Sequence, residues 1–204
     1  STPKPVHVLD RWIVSKTNAL IKVVTESMDN YDTVVSCRAI QDFVGQLSTW
    51  FLRRSRERFK GNPEEMEIFG WVLKELVLVM APVTPFVTEL IYQNLVEQSE
   101  SVHLQSWAGF DEAQIDGTLD GKMDFVRKIV ERGHSIRKES KIPVRQPLKA
   151  CQIINAKCQI EEEYVELVKE ELNVKVVTIE VGEGELTVIL DTTSSSELEA
   201  EGKM

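Results

Sequence analysis

The sequence predicts a mainly α protein, an antiparallel helix bundle followed by a small α+β appendage. Apolar residues recur at steps of three and four up to about residue 140, which is typical of amphipathic helices. The turns between these segments are short, and helices joined by short turns pack antiparallel. After the proline-bracketed segment 142–148 the pattern changes to alternation, which indicates strands. We expect three parts: a helical domain over 1–149, the appendage over 150–191, and a polar, disordered tail over 192–204.

Two long helices are predicted first. Asp10 is expected to open a helix over about 8–29 and to lie opposite its apolar face. A second helix is expected over 33–59, capped by Asp32 or Thr33. Its apolar stripe consists of Val35, Ala39, Ile40, Phe43, Leu47 and Phe51.

Glycine and proline residues bound the remaining helices of the bundle. Gly61 and Pro63 separate the second helix from the third, and Pro82 with Pro85 separates the third from the fourth. These boundaries predict helices at about 64–80, 85–97 and 118–140, with an irregular segment over 101–117.

The appendage is expected to contain three strands and one helix. Ala150–Ile154 predicts a strand, and Glu161–Leu172 predicts a helix. Val174–Val181 alternates in polarity, and the turn at Gly182–Gly184 leads into Leu186–Leu190. This spacing predicts a hairpin between the last two strands.

Charge is distributed unevenly along the chain. The net charge is −9, but residues 158–204 carry −10 and residues 1–157 carry +1. Residues 53–60 hold four Arg and one Lys against one Glu, directly after Trp50. An acidic protein that concentrates arginine beside an aromatic residue is a candidate polyanion binder, and RNA is the leading polyanion.

The arginine-rich helix supplies the first group of candidate RNA-binding residues. Trp50, Arg54 and Arg58 are spaced i, i+4, i+8 and so share one helical face, which Arg53 and Lys60 flank. Arginine binds phosphate with a bidentate fork, and tryptophan offers a stacking surface for a base. The alternative stays open that Trp50 belongs to the core and that the arginines pair with local acids.

A second basic run supplies the other candidates, Arg137, Lys138, Lys141 and Arg145, where the fifth helix ends and the proline-bracketed linker begins. Extended loops with Lys and Arg suit contacts to a nucleic-acid backbone. The alternative is that cations at a helix C-terminus merely favour the helix dipole, which accounts for two of them at most.

The sequence offers no catalytic or metal-binding constellation. Three Cys form no C-x-x-C pair, three His show no ligand spacing, and no glycine-rich phosphate loop follows a strand. No apolar run reaches membrane length. We therefore expect no cofactor or metal in this chain, no chemistry by the chain alone, and a reducing, cytoplasmic setting.

Several segments resemble, in order, landmarks of the tRNA anticodon-binding helical domain of class Ia aminoacyl-tRNA synthetases. They are residues 9–13, 30–32, 47–59, 80–86, 101–107, 142–148 and 171–175. Within the family, the runs Trp-x-x-Arg-Arg-Ser-Arg-x-Arg-Phe and Val-Arg-Gln-Pro-Leu look most like the isoleucine-specific members. Valine- and leucine-specific members share the Asp-Arg-Trp opening and remain the alternative.

The resemblance implies a domain that docks the anticodon stem and loop of an isoleucine tRNA through the two basic groups. The family's catalytic motifs, of the His-Ile-Gly-His and Lys-Met-Ser-Lys-Ser types, do not occur in this sequence. ATP and magnesium are therefore expected only in a catalytic core outside this chain. The implied partners are isoleucine tRNA and the catalytic and editing domains of the same polypeptide. A protein-interaction or structural role is the alternative, with the acidic C-terminal part as the surface for other proteins and no membrane contact.

Overall fold

The computed structural model describes residues 5–60, 63–96 and 100–193 of the chain. It is mainly helical with one small sheet, so the predicted fold class is confirmed. The chain divides into two compact units, residues 1–120 and 121–204. The domain boundary expected at residue 149 stays a prediction, and the expected disordered tail lies outside the described residues from residue 194 onward.

The predicted helices are found within a few residues of their expected bounds, and the strands are in their expected order. The helices are α1 (Val8–Asp29), α2 (Thr33–Gln46), α3 (Arg53–Phe59), α4 (Pro63–Met80), α5 (Pro85–Leu95), α6 (Gly117–Glu139) and α7 (Glu162–Leu172). The strands are β1 (Leu148–Ala156), β2 (Val174–Val181) and β3 (Thr187–Leu190). Short 3₁₀ turns interrupt the segment that was predicted to be irregular.

Helix α1 packs against α2 and α4 in the first unit and buries most of its length. It begins at Val8, as the predicted range did, but His7 and not Asp10 is the N-cap: its Nδ1 accepts a hydrogen bond from the Leu9 amide at 3.2 Å. The prediction that Asp10 faces away from the apolar side is wrong, since Asp10 is only 2 % exposed. Its carboxylate lies in the first helical turn, where the helix dipole favours negative charge.

Helices α2 and α3 belong to one continuous helix, interrupted by a π-helical turn at Leu47–Leu52. Asp32 caps this helix through a 3.0 Å hydrogen bond from the Val35 amide to its carboxylate. The predicted apolar stripe is buried at its centre, but Val35 in the first turn is 41 % exposed and does not belong to the core. Such π turns are frequent at functional sites.

The sheet of the second unit has the strand order β2-β1-β3, with β1 in the centre. Strand β1 pairs in parallel with β2 through the α7 crossover, and it pairs antiparallel with β3. The predicted hairpin between β2 and β3 is therefore wrong. The apolar side chains of β1 include the fully buried Cys151 and Ile153, so this strand takes the central position and β3 crosses to its free edge.

Close packing between α6 and α7 gives a testable prediction about stability. A Cβ added at Gly133 would lie 2.5 Å from Cδ2 of Leu172, so the fully buried Leu172 side chain would have to shift. We expect Gly133→Ala to lower the free energy of unfolding by about 1–3 kcal/mol, as overpacking does. Urea denaturation of the whole chain measures this quantity.

Gly121 is the matched control, because it lies in the same helix with nothing within 4 Å of its added Cβ. Gly121→Ala should raise the free energy of unfolding by about 0.5–1 kcal/mol through helix propensity alone. Equal effects of the two substitutions would contradict the packing of α6 on α7.

Candidate nucleic-acid interface

The arginine-rich helix turns the predicted RNA-binding face inward. Trp50 lies in the π turn and is 5 % exposed, so its ring is a core element and is not available to stack on a base. Arg54 and Arg58 on the same face are half-buried. Of the two interpretations that the sequence left open for Trp50, burial supports the structural one.

Arg58 joins the end of α3 to the beginning of α1. Its Nη2 donates to Oδ2 of Asp10 at 2.5 Å, and the carboxylate is almost fully buried. Its Nη1 also lies 3.0 Å from Nδ1 of His7. A charge-assisted hydrogen bond to a buried carboxylate is among the stronger polar contacts in proteins. Arg58 therefore stabilises the bundle, and its predicted role as an RNA contact is not supported by its geometry.

The outward side of the same helix carries Arg53, Arg56 and Lys60, which we call the α3 basic face. Lys60 bonds to Glu57 at 2.8 Å in an exposed pair, which is a weak interaction in water. The Arg56 side chain makes no hydrogen bond or ion pair with any residue that the structure describes. Together with Ser48, Leu52 and Phe59, the two arginines line an open cavity of about 450 Å³.

The π turn fixes one of these arginines. Arg53 Nε donates to the Thr49 carbonyl at 3.0 Å, within the turn where the regular helical hydrogen bonds are interrupted. This contact uses one donor and constrains the orientation of the guanidinium group on the surface.

Arg56 was not among the residues predicted to bind RNA, although it belongs to the same basic run. Its spacing gives a sequence signal, because it lies three residues after Arg53 and four before Lys60, on one helical face. The sequence does not show that this face, and not the face with Trp50, is exposed to solvent. That follows only from the burial of Asp10 and its pairing with Arg58.

The second basic region lies at the end of α6 and in the loop that follows. Lys138, Lys141 and Arg145 are exposed, and their side chains make no hydrogen bond or ion pair with other described residues. We call these three residues the α6–β1 basic cluster. Because no ion pair with a described residue engages them, they remain available to an anionic partner.

The backbone at Lys141 has a conformation that lysine seldom adopts. Its φ is 56°, and its amide donates to the Lys138 carbonyl at 3.1 Å while the Ile142 amide donates to the Arg137 carbonyl at 2.9 Å. This is the Schellman arrangement at a helix C-terminus, in which glycine usually occupies the left-handed position. The turn sets where the chain leaves α6 and so where the cluster lies.

Arg137 is not part of this exposed cluster, and its burial does not support its predicted role as an RNA contact. The residue is 1 % exposed, and its guanidinium donates to the backbone carbonyls of Leu172, Pro143, Gln146 and Asn173. Local composition could not reveal this, because two of the four carbonyls lie about 35 positions further along the chain.

Three further observations concern metal ligands, the thiol of Cys151 and membrane spans. Among its residues, no group of three or more His, Cys, Asp or Glu side chains is close enough to hold a metal ion. Burial in the sheet raises the pKa of the Cys151 thiol to about 12, which keeps it protonated and unreactive. No helix in the described ranges is long and apolar enough to cross a membrane.

The contrast between Arg58 and Arg56 gives a testable prediction. Arg58→Ala removes the ion pair to the buried Asp10 carboxylate and should lower the free energy of unfolding by about 2–3 kcal/mol. Arg56→Ala is the matched control on the same helix, and a surface change of this kind should stay within about 0.5 kcal/mol of the parent chain. Chemical denaturation followed by circular dichroism measures both. Similar losses at the two positions would show that α3 does not face the way the structure describes.

Comparison with known proteins agrees with this architecture. Residues 10–153 match a family model described as the anticodon-binding domain of tRNA ligase. The chain is 40 % identical over 187 residues to an isoleucine–tRNA ligase of Cutibacterium acnes, and 41 % identical over 182 residues to one of Clostridium novyi. It is 38 % identical over 210 residues to one of Streptomyces avermitilis.

These alignments cover 88 %, 84 % and 98 % of this chain. They cover only 17 %, 17 % and 20 % of the relatives, so the chain spans less than a quarter of the length of the proteins that it matches. The family model alone covers well over half of the 204 residues. The chain therefore belongs to the family of anticodon-binding domains of tRNA ligases.

Proposed function

We propose that this chain is the tRNA-binding module of an isoleucine–tRNA ligase and that it docks the anticodon arm of an isoleucine tRNA. The observation that carries the proposal is the exposure of the α3 basic face and of the α6–β1 basic cluster in a chain of net charge −9. The family match and the isoleucine–tRNA ligase relatives support the choice of partner.

Electrostatics favours localised binding. A phosphate backbone attracts Lys and Arg and releases counterions on binding, which gives most of the affinity for nucleic acids. The overall acidity of this chain disfavours nonspecific association, because the rest of the surface repels a polyanion. Binding is therefore confined to the places where several cations are exposed close together.

The α3 basic face also includes an open cavity with apolar side chains. Its open cavity combines the guanidinium groups of Arg53 and Arg56 with the apolar side chains of Leu52 and Phe59. Single-stranded RNA is recognised through unstacked bases together with the flanking backbone. A cavity with an apolar wall and two arginines suits a loop nucleotide better than it suits a regular duplex.

The catalytic activity belongs, in this proposal, to other parts of a longer polypeptide. The relatives are named isoleucine–tRNA ligases, and the chain corresponds to a small share of their length. ATP, magnesium and isoleucine would bind in the catalytic part, and the role of this module is to place the tRNA so that its acceptor end reaches that part. We propose a cytoplasmic location, as expected for a translation enzyme.

A second candidate function is docking of another protein on the sheet. Strand β2 lies at the edge of the sheet, with Val176 and Val181 about half exposed. An open edge strand can pair with an extended segment of a partner. Such an apolar, hydrogen-bonded contact would depend little on salt, whereas tRNA binding should weaken steeply as salt rises.

Binding of tRNA by the whole chain tests the proposal. We expect wild-type protein to bind an isoleucine tRNA transcript with salt-sensitive affinity, and Arg56→Ala to lower the slope of log K against log salt by about one unit. Fluorescence anisotropy over a series of salt concentrations measures both. A transcript with an exchanged anticodon, tested in parallel, separates base reading from backbone contact, because only base reading costs about 1–3 kcal/mol for the wrong partner.

Lys22→Ala is the control for charge alone. Lys22 is paired with Glu112 at 2.6 Å, and it lies twelve residues along α1 from Asp10, or about 18 Å at the helical rise. This change should leave the salt slope as it is. If the wild-type chain does not bind tRNA even at low salt, the proposal fails in favour of protein docking.

A further inference from the structure

Arg137 lies in the second unit with every one of its donors in use. An arginine side chain has five N–H donors, and the structure gives this one five hydrogen bonds. Nε and Nη2 both donate to the Leu172 carbonyl, the former at 3.0 Å, and Nη2 also donates to the Asn173 carbonyl at 3.1 Å. Nη1 donates to Pro143 at 3.1 Å and to Gln146 at 3.0 Å. No donor is left for a phosphate.

The acceptors explain how a positive charge is tolerated at this depth. Leu172 is the last residue of α7, so two of the four carbonyl groups lie at the negative end of that helix. Burial lowers the pKa of the Arg137 guanidinium, but the ordinary value is so high that the group stays charged at neutral pH. A charged guanidinium bonded to uncharged carbonyls holds two backbone segments, the loop at 143–146 and the end of α7, to α6.

One of these segments is the loop between α6 and β1, which carries most of the basic cluster. Besides the two bonds from Arg137, the Asn173 side chain donates to the Val144 carbonyl at 2.9 Å. Within the loop, the Gln146 amide donates to the Pro143 carbonyl at 3.0 Å. The carbonyls of Pro143, Val144 and Gln146 are thus all occupied from within the unit, which fixes the backbone on both sides of Arg145.

We propose that Arg137 is a positioning residue, which holds the α6–β1 loop in the shape that presents Lys141 and Arg145 to RNA, next to Lys138 in the last turn of α6. The expected effect on RNA binding rests on the proposed function. The ordering of the loop by Arg137 does not depend on that function. A flexible basic loop would lose conformational entropy on binding, and a loop that is already ordered does not. The guanidinium acts on the RNA only through the backbone that it holds.

Lysine cannot replace arginine in this role. A lysine carries three donors on one nitrogen, whereas four carbonyl groups surround the planar fork of Arg137. At a phosphate contact, by contrast, lysine is a working substitute because it also provides a positive charge. Arg137→Lys therefore separates the two roles.

The test compares whole-chain variants for amide hydrogen exchange in the loop and for binding of an isoleucine tRNA transcript. We expect Arg137→Lys and Arg137→Met both to speed exchange in residues 142–148 and to weaken tRNA binding by about tenfold or more at low salt, because the ordering of the loop is then paid on binding. The salt slope should fall by about two units or more, since several contacts are lost together. Lys138→Met removes one exposed charge from the cluster and should lower the slope by about one unit with no change in exchange.

Two outcomes would overturn the inference. One is an Arg137→Lys variant that keeps both the parent affinity and the parent exchange rates, as a direct phosphate contact would. The other is faster exchange in the loop with unchanged affinity, which would make Arg137 a purely structural residue. Lys128→Met, an exposed cation on the same helix outside the cluster, should change neither quantity.

If the variants do not fold, proton exchange at Arg137 in the wild-type chain provides an independent test. In nuclear magnetic resonance spectra, the Arg137 Nε–H proton should exchange slowly, and its shift should stay constant as the tRNA transcript is added. Fast exchange of this Nε–H in the free protein would contradict the hydrogen bonds described for Arg137. If wild-type protein fails to bind tRNA at all, the proposed function fails, and exchange in the loop alone decides whether Arg137 orders it.

Discussion

The ion pair between Arg58 and Asp10 determines what the arginine-rich helix shows to solvent. It joins the end of α3 to the first turn of α1, and the buried carboxylate cannot be left without a partner at low cost. With Arg58 directed inward, the helical period places Trp50 and Arg54 toward the bundle and Arg53, Arg56 and Lys60 outward. The exposed basic surface of the first unit follows from this one contact.

Each unit contains an inward-facing arginine, but the hydrogen-bond acceptors differ between the two units. In the first unit, an inward arginine meets a carboxylate, and in the second unit Arg137 meets only backbone carbonyls. In each case the neighbouring cations remain exposed, so one buried arginine accompanies a group of surface charges. Not every residue of a basic cluster in a sequence is therefore expected to contact a nucleic acid, because some members stabilise the surface that the others form.

Local patterns explain what could be predicted from the sequence. Helix bounds such as those of α1 and α2, and the cap at Asp32, depend on neighbouring residues and were predicted closely. Strand pairing depends on distant residues, so the hairpin between β2 and β3 was wrong although both strands were found. The inward direction of Arg58 and Arg137 could not be predicted for the same reason, since their acceptors lie far away along the chain.

Lysine footprinting of the whole chain, with and without an isoleucine tRNA transcript, tests the central claim most directly. We predict that bound tRNA slows acetylation of Lys60, Lys138 and Lys141, which lie in the α3 basic face and the α6–β1 basic cluster. Lys22 and Lys74, which lie on other helices, should react at the same rate in both states. Protection of the latter pair alone, or equal reactivity everywhere at saturating tRNA, would contradict it.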